Sequence, residues 1–423
     1  MRVLIIGSGG REHAIAWKLR QSPLLDKLFC APGNPGTSAI SVNLNIDITD
    51  FEAIKSAVLE NRIDMIVVGP EDPLVKGLKD FVESDKELNS VAFIGPSAQG
   101  AQLEGSKDFA KRFMIKYGIP TAAYQSFDIK SVDKADAFID SLSAPYVLKA
   151  DGLAAGKGVL IIDNASDAKR ELREMLSGRF GSAGDRVVIE EFLSGTELSL
   201  FILTDGDSYM VLPEAKDYKR IFDGDKGLNT GGMGAVSPVP FADAEFMKLT
   251  EQRIIIPTVE GLKNEGIDYK GFIFIGLMNC GGSPYVIEYN VRMGDPETEA
   301  VMPRIESDLL SHFIAVGERK LHKERIEISA EYALTLVMVS GGYPGTYSRG
   351  YKIDGANSVD KGTLFHSGTA EKDGELVSSG GRVLALTVLS DGIEQGRELL
   401  YSQAAGIYFK DLFYRRDIGL DLL

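Results

Sequence analysis

Val286-Ile287-Glu288-Tyr289-Asn290-Val291-Arg292-Met293-Gly294-Asp295-Pro296-Glu297-Thr298-Glu299-Ala300 is the stretch whose reading decides the rest of this chain. It opens as a strand, because Tyr285 to Tyr289 are bulky or β-branched and follow the turn signal Gly281-Gly282-Ser283-Pro284. Side chains of a strand repeat every second residue, so Glu288, Asn290 and Arg292 are expected on one face. A carboxylate, an amide oxygen and a guanidinium in a row suit a magnesium ion and a phosphoryl group. Hard oxygens hold the metal, and the planar fork of Arg grips the anion. The competing reading is an edge strand with a solvated polar face, followed by a Gly-Asp-Pro turn. Other segments decide between the two.

The chain has 423 residues, enough for about two to four domains. Its 44% hydrophobic and 25% charged content is that of an ordinary soluble globular protein. A net charge of −15 argues against a nucleic-acid groove or an anionic membrane as the main partner. A local basic pocket for a small phosphorylated ligand is compatible with it. Cys30 and Cys280 form no disulfide framework and no zinc spacing, which fits a reducing compartment. His13, His312, His322 and His366 fall in no recognisable ligand cluster. No apolar run reaches membrane-spanning length. Met1 to Gly7 passes directly into a buried-type strand without the regions of a signal peptide, so a cytoplasmic location is expected.

Residues 1–100 alternate strands with helices. The apolar runs Val3–Ile6, Met65–Val68 and Val91–Ile94 end at Gly7, Gly69-Pro70-Glu71 and Gly95-Pro96. A parallel sheet presents such loops at its carboxyl edge, where ligands bind. Gly7-x-Gly9-Gly10 is half of a dinucleotide fingerprint, with His13 in place of the third Gly. Backbone N–H groups at the start of the Arg11–Leu19 helix can hold a phosphate, with Arg11 adding charge; the alternative is a tight strand-to-helix turn.

Gly100 to Tyr117 reads as one helix carrying Ser106-Lys107. Strands at Tyr146–Lys149 and Val159–Ile162 flank the small-residue loop Asp151-Gly152-Leu153-Ala154-Ala155-Gly156-Lys157-Gly158. This is no Walker loop, since Gly-Lys-Ser/Thr is absent. A flexible loop with a Lys at each end can still fold over a triphosphate; the alternative is a surface hairpin. The strand Val187–Leu193 leads into Ser194-Gly195-Thr196-Glu197, a hinge whose backbone can pair with adenine. Asp217, Lys219 and Arg220 offer one partner for an ammonium and two for anions. Asn229-Thr230-Gly231-Gly232-Met233-Gly234 is too rich in Gly to pack a core and implies close approach to a ligand. Met302 to Val316 reads as helical. A strand-rich segment follows from about residue 330, with Tyr332–Val339, Arg382–Leu389 and a final helix at Glu394–Ala405.

Lys107, Lys149, the loop through Lys157, the Glu190–Leu193 hinge and Glu288/Asn290/Arg292 stand in the order and spacing of the ATP-grasp ligases. Within that superfamily the chain resembles the phosphoribosylamine–glycine ligases. The resemblance is carried by Arg292-Met293-Gly294-Asp295-Pro296-Glu297-Thr298-Glu299, Gly9-Gly10-Arg11-Glu12-His13-Ala14, Gly69-Pro70-Glu71, the Lys149–Gly158 segment and Asn229–Gly234. It extends to Arg415-Arg416-Asp417-Ile418-Gly419 near the end.

The resemblance implies an α/β ATP-grasp architecture in three parts. These are a parallel N-terminal α/β domain over 1–103, an ATP-grasp domain over 104–328 with a small mobile lid inserted at about 122–192, and a C-terminal α+β domain over 329–423. It implies ligation of glycine to 5-phosphoribosylamine with ATP as co-substrate, through glycyl phosphate, in purine synthesis. Other ATP-grasp ligases or carboxylases, and a nucleotide sensor without turnover, are the alternatives. Glu288 and Asn290 would hold magnesium or manganese. Lys107, Lys149 and Lys157 would neutralise the triphosphate, with Gly156 and Gly158 closing over it. Glu190, Glu191, Leu193 and Glu197 would seat the nucleoside, and Arg292 would act with Lys149 and Lys157 on the transferring phosphoryl group. The substrates would meet Gly9, Gly10, Arg11, Glu12, Gly69, Pro70 and Glu71 on one side. On the other they would meet Asp217, Lys219, Arg220, Asn229, Gly231 and Gly232, together with Arg292, Gly294 and Asp295. The partners implied are these small molecules alone, for a monomer or weak dimer. Phe274–Leu277 carries no acid where many superfamily members have a second metal-binding Glu, which leaves a second magnesium without an assigned ligand.

Overall fold

The computed structural model describes residues 1–153 and 158–423. Its first sheet is five-stranded and parallel, in the order Val42–Asn43, Lys27–Pro32, Arg2–Gly7, Met65–Val68, Ala92–Ile94. Val3–Ile6 and Met65–Val68 are buried on both faces, as unbroken apolar runs of a parallel sheet must be. The strand order reverses between Arg2–Gly7 and Met65–Val68. The loops at Gly7–Gly10 and Gly69–Glu71 therefore emerge side by side at the switch point. Lys27–Pro32 and Val42–Asn43 are strands that the sequence reading did not pick out. The first is a short apolar run with little turn punctuation before it, and the second has only two residues.

Two antiparallel four-stranded sheets form the centre. One runs Tyr209–Val211, Thr196–Thr204, Gly271–Cys280, Ser283–Asn290, and the other Tyr124–Asp128, Arg186–Glu191, Tyr146–Ala150, Val159–Ile162. The loop expected to close over phosphates, with Gly156 and Lys157, lies largely outside the described residues. Gly158 is described: its carbonyl accepts a hydrogen bond from the Ala150 N–H at 2.8 Å.

The strand Ser283–Asn290 is irregular at the point that matters. Gly276 pairs with Glu288 while Leu277 pairs with Val286, which leaves Ile287 as an extra residue, a β-bulge. Val286, Tyr289 and Val291 all enter one core cluster. Strict alternation would have buried Glu288 and Asn290 beside Val286. The bulge resets the phase, so the core takes Tyr289 and Val291 and the opposite face receives Glu288 and Asn290.

Two expected helices are each broken by a cap. Gly100–Tyr117 divides into Gln102–Gly105 and Lys107–Lys116, because the extended Ser106 accepts the Phe109 N–H at 3.0 Å. Met302–Val316 divides into Glu297–Arg304 and Leu309–Gly317, where the Asp308 carboxylate accepts the Leu310 N–H at 2.9 Å. Ser and Asp bond their own backbone better at a helix start than in its interior.

The last large sheet runs Lys216–Asp217, Gly234–Ser237, Tyr332–Val339, Arg382–Ser390, Thr363–His366, with the helix Ile393–Ala404 packed on it. Two of its five strands thus come from the segment before residue 240. This brings the Gly-rich stretch Asn229–Gly234 to the edge of the cleft. No helix among the described residues is long and apolar enough to cross a membrane.

Gly234 seats one of these strands: a Cβ there would lie 2.6 Å from the Thr335 carbonyl oxygen. Gly234→Ala is expected to destabilise the protein by about 1–3 kcal/mol, the usual cost of overpacking a closed site. An unchanged thermal midpoint would show that the strand is not seated this way.

Candidate functional site

Glu288 lies at the centre of a ring of cations. Its Oε2 is 3.6 Å from Lys107 Nζ, which the Ser106 cap sets at the first turn of its helix. Burial alone would raise the Glu288 carboxyl, yet Lys107, Lys219, Lys149 and Arg292 bring it down to about 2. It is therefore ionised across the physiological range. Asn290 follows on the same strand, almost fully buried. Gly276 is the residue paired with Glu288 on the neighbouring strand, so no second acid stands there. Among the described residues no group of three His, Cys, Asp or Glu side chains could enclose a metal. A carboxylate and an amide oxygen fit an ion that completes its shell with phosphate oxygens and water, the habit of magnesium.

Lys149 ties the two central sheets together. Its Nζ donates to the carbonyl of Ile287, the bulge residue, at 3.1 Å and lies 3.0 Å from Glu190 Oε1. Glu190 Oε2 meets Lys111 Nζ at 2.9 Å, and Lys111 also donates to Thr121 Oγ1 at 2.8 Å. All three charged groups are buried. Burial would lift the Glu190 carboxyl, but Lys149 and Lys111 hold it below the usual range. Burial lowers the Lys111 ammonium to about 8 against the pull of Glu190. Glu191, next along, accepts the Ala123 N–H at 2.8 Å, and Leu193 lies half-buried on the connection to Thr196–Thr204.

The guanidinium of Arg292 is held by carboxylates on two short helices, Glu71–Val75 and Gln102–Gly105. Glu104 Oε1 accepts from its Nη2 at 2.7 Å, and Glu71 Oε2 lies 3.3 Å from its Nε. Burial would raise the Glu71 carboxyl, and Arg292 and Arg11 keep it below the ordinary range. Pro70 precedes the helix Glu71–Val75, and a Cβ on Gly69 would fall 2.0 Å from Glu12 Oε1.

At the helix start Gly10–Leu19 the anion is the chain's own. Glu12 Oε2 accepts the Gly9 N–H at 2.6 Å, and Glu12 Oε1 pairs with Arg11 Nε at 2.6 Å. Arg11 Nη1 donates to the Met293 carbonyl at 3.2 Å, and its side chain is nearly inaccessible. Gly10 packs against Glu299, where a Cβ would lie 2.2 Å from Oε1. Glu299 is fully buried, with neither carboxyl oxygen hydrogen-bonded. Burial and the neighbouring Asp295 hold its carboxyl well above the usual range.

The far wall is built from the 216–232 segment. Lys219 forms an ion pair with Glu197. Burial lifts the Asp217 carboxyl to about 7 against the pull of Lys219, with Glu297 and Glu197 adding to the rise. Gly231 donates its N–H to the Tyr343 hydroxyl at 2.9 Å and its carbonyl accepts from Arg382. Gly232, with φ of +112°, backs onto Pro296, and a Cβ on Gly294 would strike Glu297. Arg382 Nη1 reaches Asp295 Oδ1 at 2.9 Å. Asn229 is exposed at the end of Lys226–Asn229. Arg220 is not drawn into the cluster: its Nη1 donates to the Gly227 carbonyl of its own hairpin at 2.8 Å.

Glu104, Lys111 and Arg382 were not singled out from sequence, although all three touch residues that were. Lys111 had one signal, its position four residues after Lys107 on a single helix. Glu104 and Arg382 had none.

Three family models match in succession: Phosphoribosylglycinamide synthetase, N domain, over residues 1–104; its ATP-grasp (A) domain over 105–298; and its C domain over 333–421. The phosphoribosylamine–glycine ligase of Caldanaerobacter subterraneus subsp. tengcongensis is 42% identical over 420 residues, covering 99% of each chain. The crystal structure of the phosphoribosylamine–glycine ligase of Thermotoga maritima has a TM-score of 0.87 at 36% identity, covering 99% of this chain and all 100% of the other. The biotin carboxylase domain of the Hydrogenobacter thermophilus 2-oxoglutarate carboxylase, solved with magnesium ADP and bicarbonate, has a TM-score of 0.71 at 18% identity. It covers 97% of this chain and 91% of its own, a likeness of fold alone. The ATP-grasp architecture implied by the sequence is thus the one the chain has.

The neighbouring cations tie part of the stability of the fold to the ionisation of Glu288. Its folded value of about 2 lies below the ordinary 4.5, so it stabilises the protein above that value and the gain is lost as pH falls toward 2. Glu288→Gln is expected to lower stability at pH 7 by about 1–3 kcal/mol, allowing for its partial exposure. Urea denaturation should show the difference from the parent shrinking between pH 4.5 and pH 2. A difference that stays constant over that range would place the shift elsewhere.

Proposed function

The chain belongs to the phosphoribosylglycinamide synthetase family along its length, and on that premise we propose how its cleft carries out the family's reaction. The activity is the ATP-dependent ligation of glycine to 5-phosphoribosylamine in purine biosynthesis. A carboxylate oxygen of glycine attacks the γ-phosphorus of ATP, the bond to ADP breaks, and glycyl phosphate forms. The amine nitrogen of 5-phosphoribosylamine then attacks the carbonyl carbon. The bond to phosphate breaks, phosphate leaves, and the nitrogen gives up one proton. No Ser or Cys nucleophile is required, only positioning and charge neutralisation.

Lys107, Lys149, Lys157 and Lys219 take up the charge of the triphosphate, and Gly156 and Gly158 are assigned to the same ATP site. Arg292 meets the transferring phosphoryl group. The Glu190–Leu193 edge and Glu197 seat the nucleoside. Glu288 and Asn290 would hold the magnesium, or manganese, that accompanies ATP, and the ion would supply neutralisation of phosphate charge. Asp217 and Asp295 face the ammonium of glycine. The Gly9–Glu12 helix start and Gly69–Glu71, adjacent at the switch point of the first sheet, receive 5-phosphoribosylamine. We divide the chain at 1–103, 104–328 and 329–423 accordingly. Two unpaired cysteines fit a reducing cytoplasm, and the molecule is assigned as a monomer or weak dimer.

The observation that supports this assignment of roles best is the bulged strand. It presents Glu288, Asn290 and, just beyond its end, Arg292 to three lysines from other elements. ADP release from ATP, magnesium and glycine, with and without 5-phosphoribosylamine, tests the reading. Turnover that ignores glycine would point to another carboxylate. Asn290→Ala is expected to lower kcat at least about a hundredfold, the scale on which loss of one positioned group acts. Its thermal midpoint should move by only a few degrees. Full activity in this variant would remove Asn290 from the metal site.

A further inference from the structure

Arg292 has two carboxylate partners of different kinds. Glu71 is partly exposed and makes one contact of 3.3 Å with Nε. Glu104 is only 4% exposed and uses both of its oxygens. Oε1 takes Arg292 Nη2 at 2.7 Å, and Oε2 takes the backbone N–H of Val291 at 2.8 Å. The carboxylate therefore bridges a side chain and the backbone N–H of the residue before it.

We propose that Glu104 is a positioning residue for the ligation, fixing the guanidinium of Arg292 relative to the strand that bears Glu288 and Asn290. This rests on the role given to Arg292 above. An Arg side chain has several rotatable bonds, and the 3.3 Å contact with Glu71 and the 3.2 Å bond from Nη1 to the Met293 carbonyl are both long, which leaves its planar fork room to turn. A carboxylate anchored on the adjacent N–H defines where that fork lies relative to the backbone. The guanidinium cannot swing without breaking a charge-assisted bond in a buried site. The anchor is itself rigid. Glu104 sits on Gln102–Gly105, whose C-terminal neighbour Ser106 caps the next helix and donates to Asp151 Oδ1 at 3.0 Å. That next helix begins with Lys107, the partner of Glu288. One turn of chain thereby sets both the Arg292 end and the Glu288 end of the reacting face.

A purely structural buried ion pair would make a different prediction, because its loss would lower stability without a preference for one kinetic constant. The test is a double-mutant cycle in the full-length chain: E104Q, R292K and the double variant, each assayed with ATP, magnesium, glycine and 5-phosphoribosylamine. Gln keeps the shape but can accept from only one of the two donors, and it turns an NH2 toward the other. E104Q is expected to lower kcat about ten- to a hundredfold with KM for ATP within about twofold. The double variant should be no slower than R292K by more than about twofold, since groups acting through one another are not additive. Additive losses, or an E104Q kcat equal to that of the parent, would overturn the proposal while leaving Arg292 in its role. Full activity in R292K would instead remove Arg292 from the phosphoryl site. If E104Q melts below the assay temperature, E104D takes its place in the cycle. It keeps the charge but cannot span both donors, and the same criteria apply.

Discussion

Everything in this cleft depends on one extra residue in one strand. Without Ile287 as a bulge, Val286, Glu288 and Asn290 would share a face, and two polar groups would be pressed into the largest core cluster. Burying a carboxylate there without a partner costs several kcal/mol, far more than a bulge does. The bulge also frees a carbonyl from the sheet ladder, and Lys149 takes it. A local defect therefore does two things at once: it turns Glu288 and Asn290 away from the core cluster, and it gives the other central sheet a fixed point to hold.

The charge arrangement follows from that geometry. A chain of net charge −15 must still bind the highly anionic ATP. Its cations in the cleft are kept on its own carboxylates: Lys107 on Glu288, Lys111 and Lys149 on Glu190, Lys219 on Glu197, Arg292 on Glu71 and Glu104. Each pair reduces the cost of burying either member alone. Under the roles proposed above, a triphosphate entering the cleft would exchange partners with these pairs. The pairs differ in how readily they exchange. Lys219–Glu197 is about half exposed, whereas Lys149–Glu190 is buried, so the first is the more open to exchange.

Sequence reading recovered what is written locally. Apolar runs ending in Gly gave three of the five parallel strands, and period-two alternation gave the shared face of Glu288 and Asn290. It joined helices across Ser106 and Asp308, because a capping side chain resembles any other polar residue until the backbone is seen to leave the helix. The bulge was invisible for a related reason. Nothing in Val286-Ile287-Glu288 marks an extra residue; the register is decided by Gly276 and Leu277 on the partner strand. Glu104 and Arg382 were illegible because their meaning lies in partners 188 and 87 residues away. Family motifs carried the chemistry across these gaps, since they record the outcome of contacts that a single sequence cannot show.

Gly9-Gly10-Arg11-Glu12-His13 shows the limit most clearly. Read locally, it is either a phosphate-binding turn or a tight strand-to-helix turn. In the fold, four of its five residues face other segments. Gly10 meets Glu299, Arg11 the Met293 carbonyl, Glu12 the Gly69 loop, and His13 Nδ1 accepts the His366 N–H at 2.9 Å. Burial, and the proximity of His366, lower the His13 imidazole to about 3, so it is neutral in that contact. A motif of small and charged residues in a row is thus a junction of the first sheet with the helix Glu297–Arg304, its preceding loop and the last sheet. The signal that its anion site is internally filled was present in the sequence: a Glu at the third helical position reaches back to the N-cap N–H. An incoming phosphate at this helix start must therefore displace Glu12 from Gly9 or bind beside it. Displacement would loosen Arg11 and the Gly69 loop in the same step, so the binding of such an anion here and the packing of this junction would be one equilibrium.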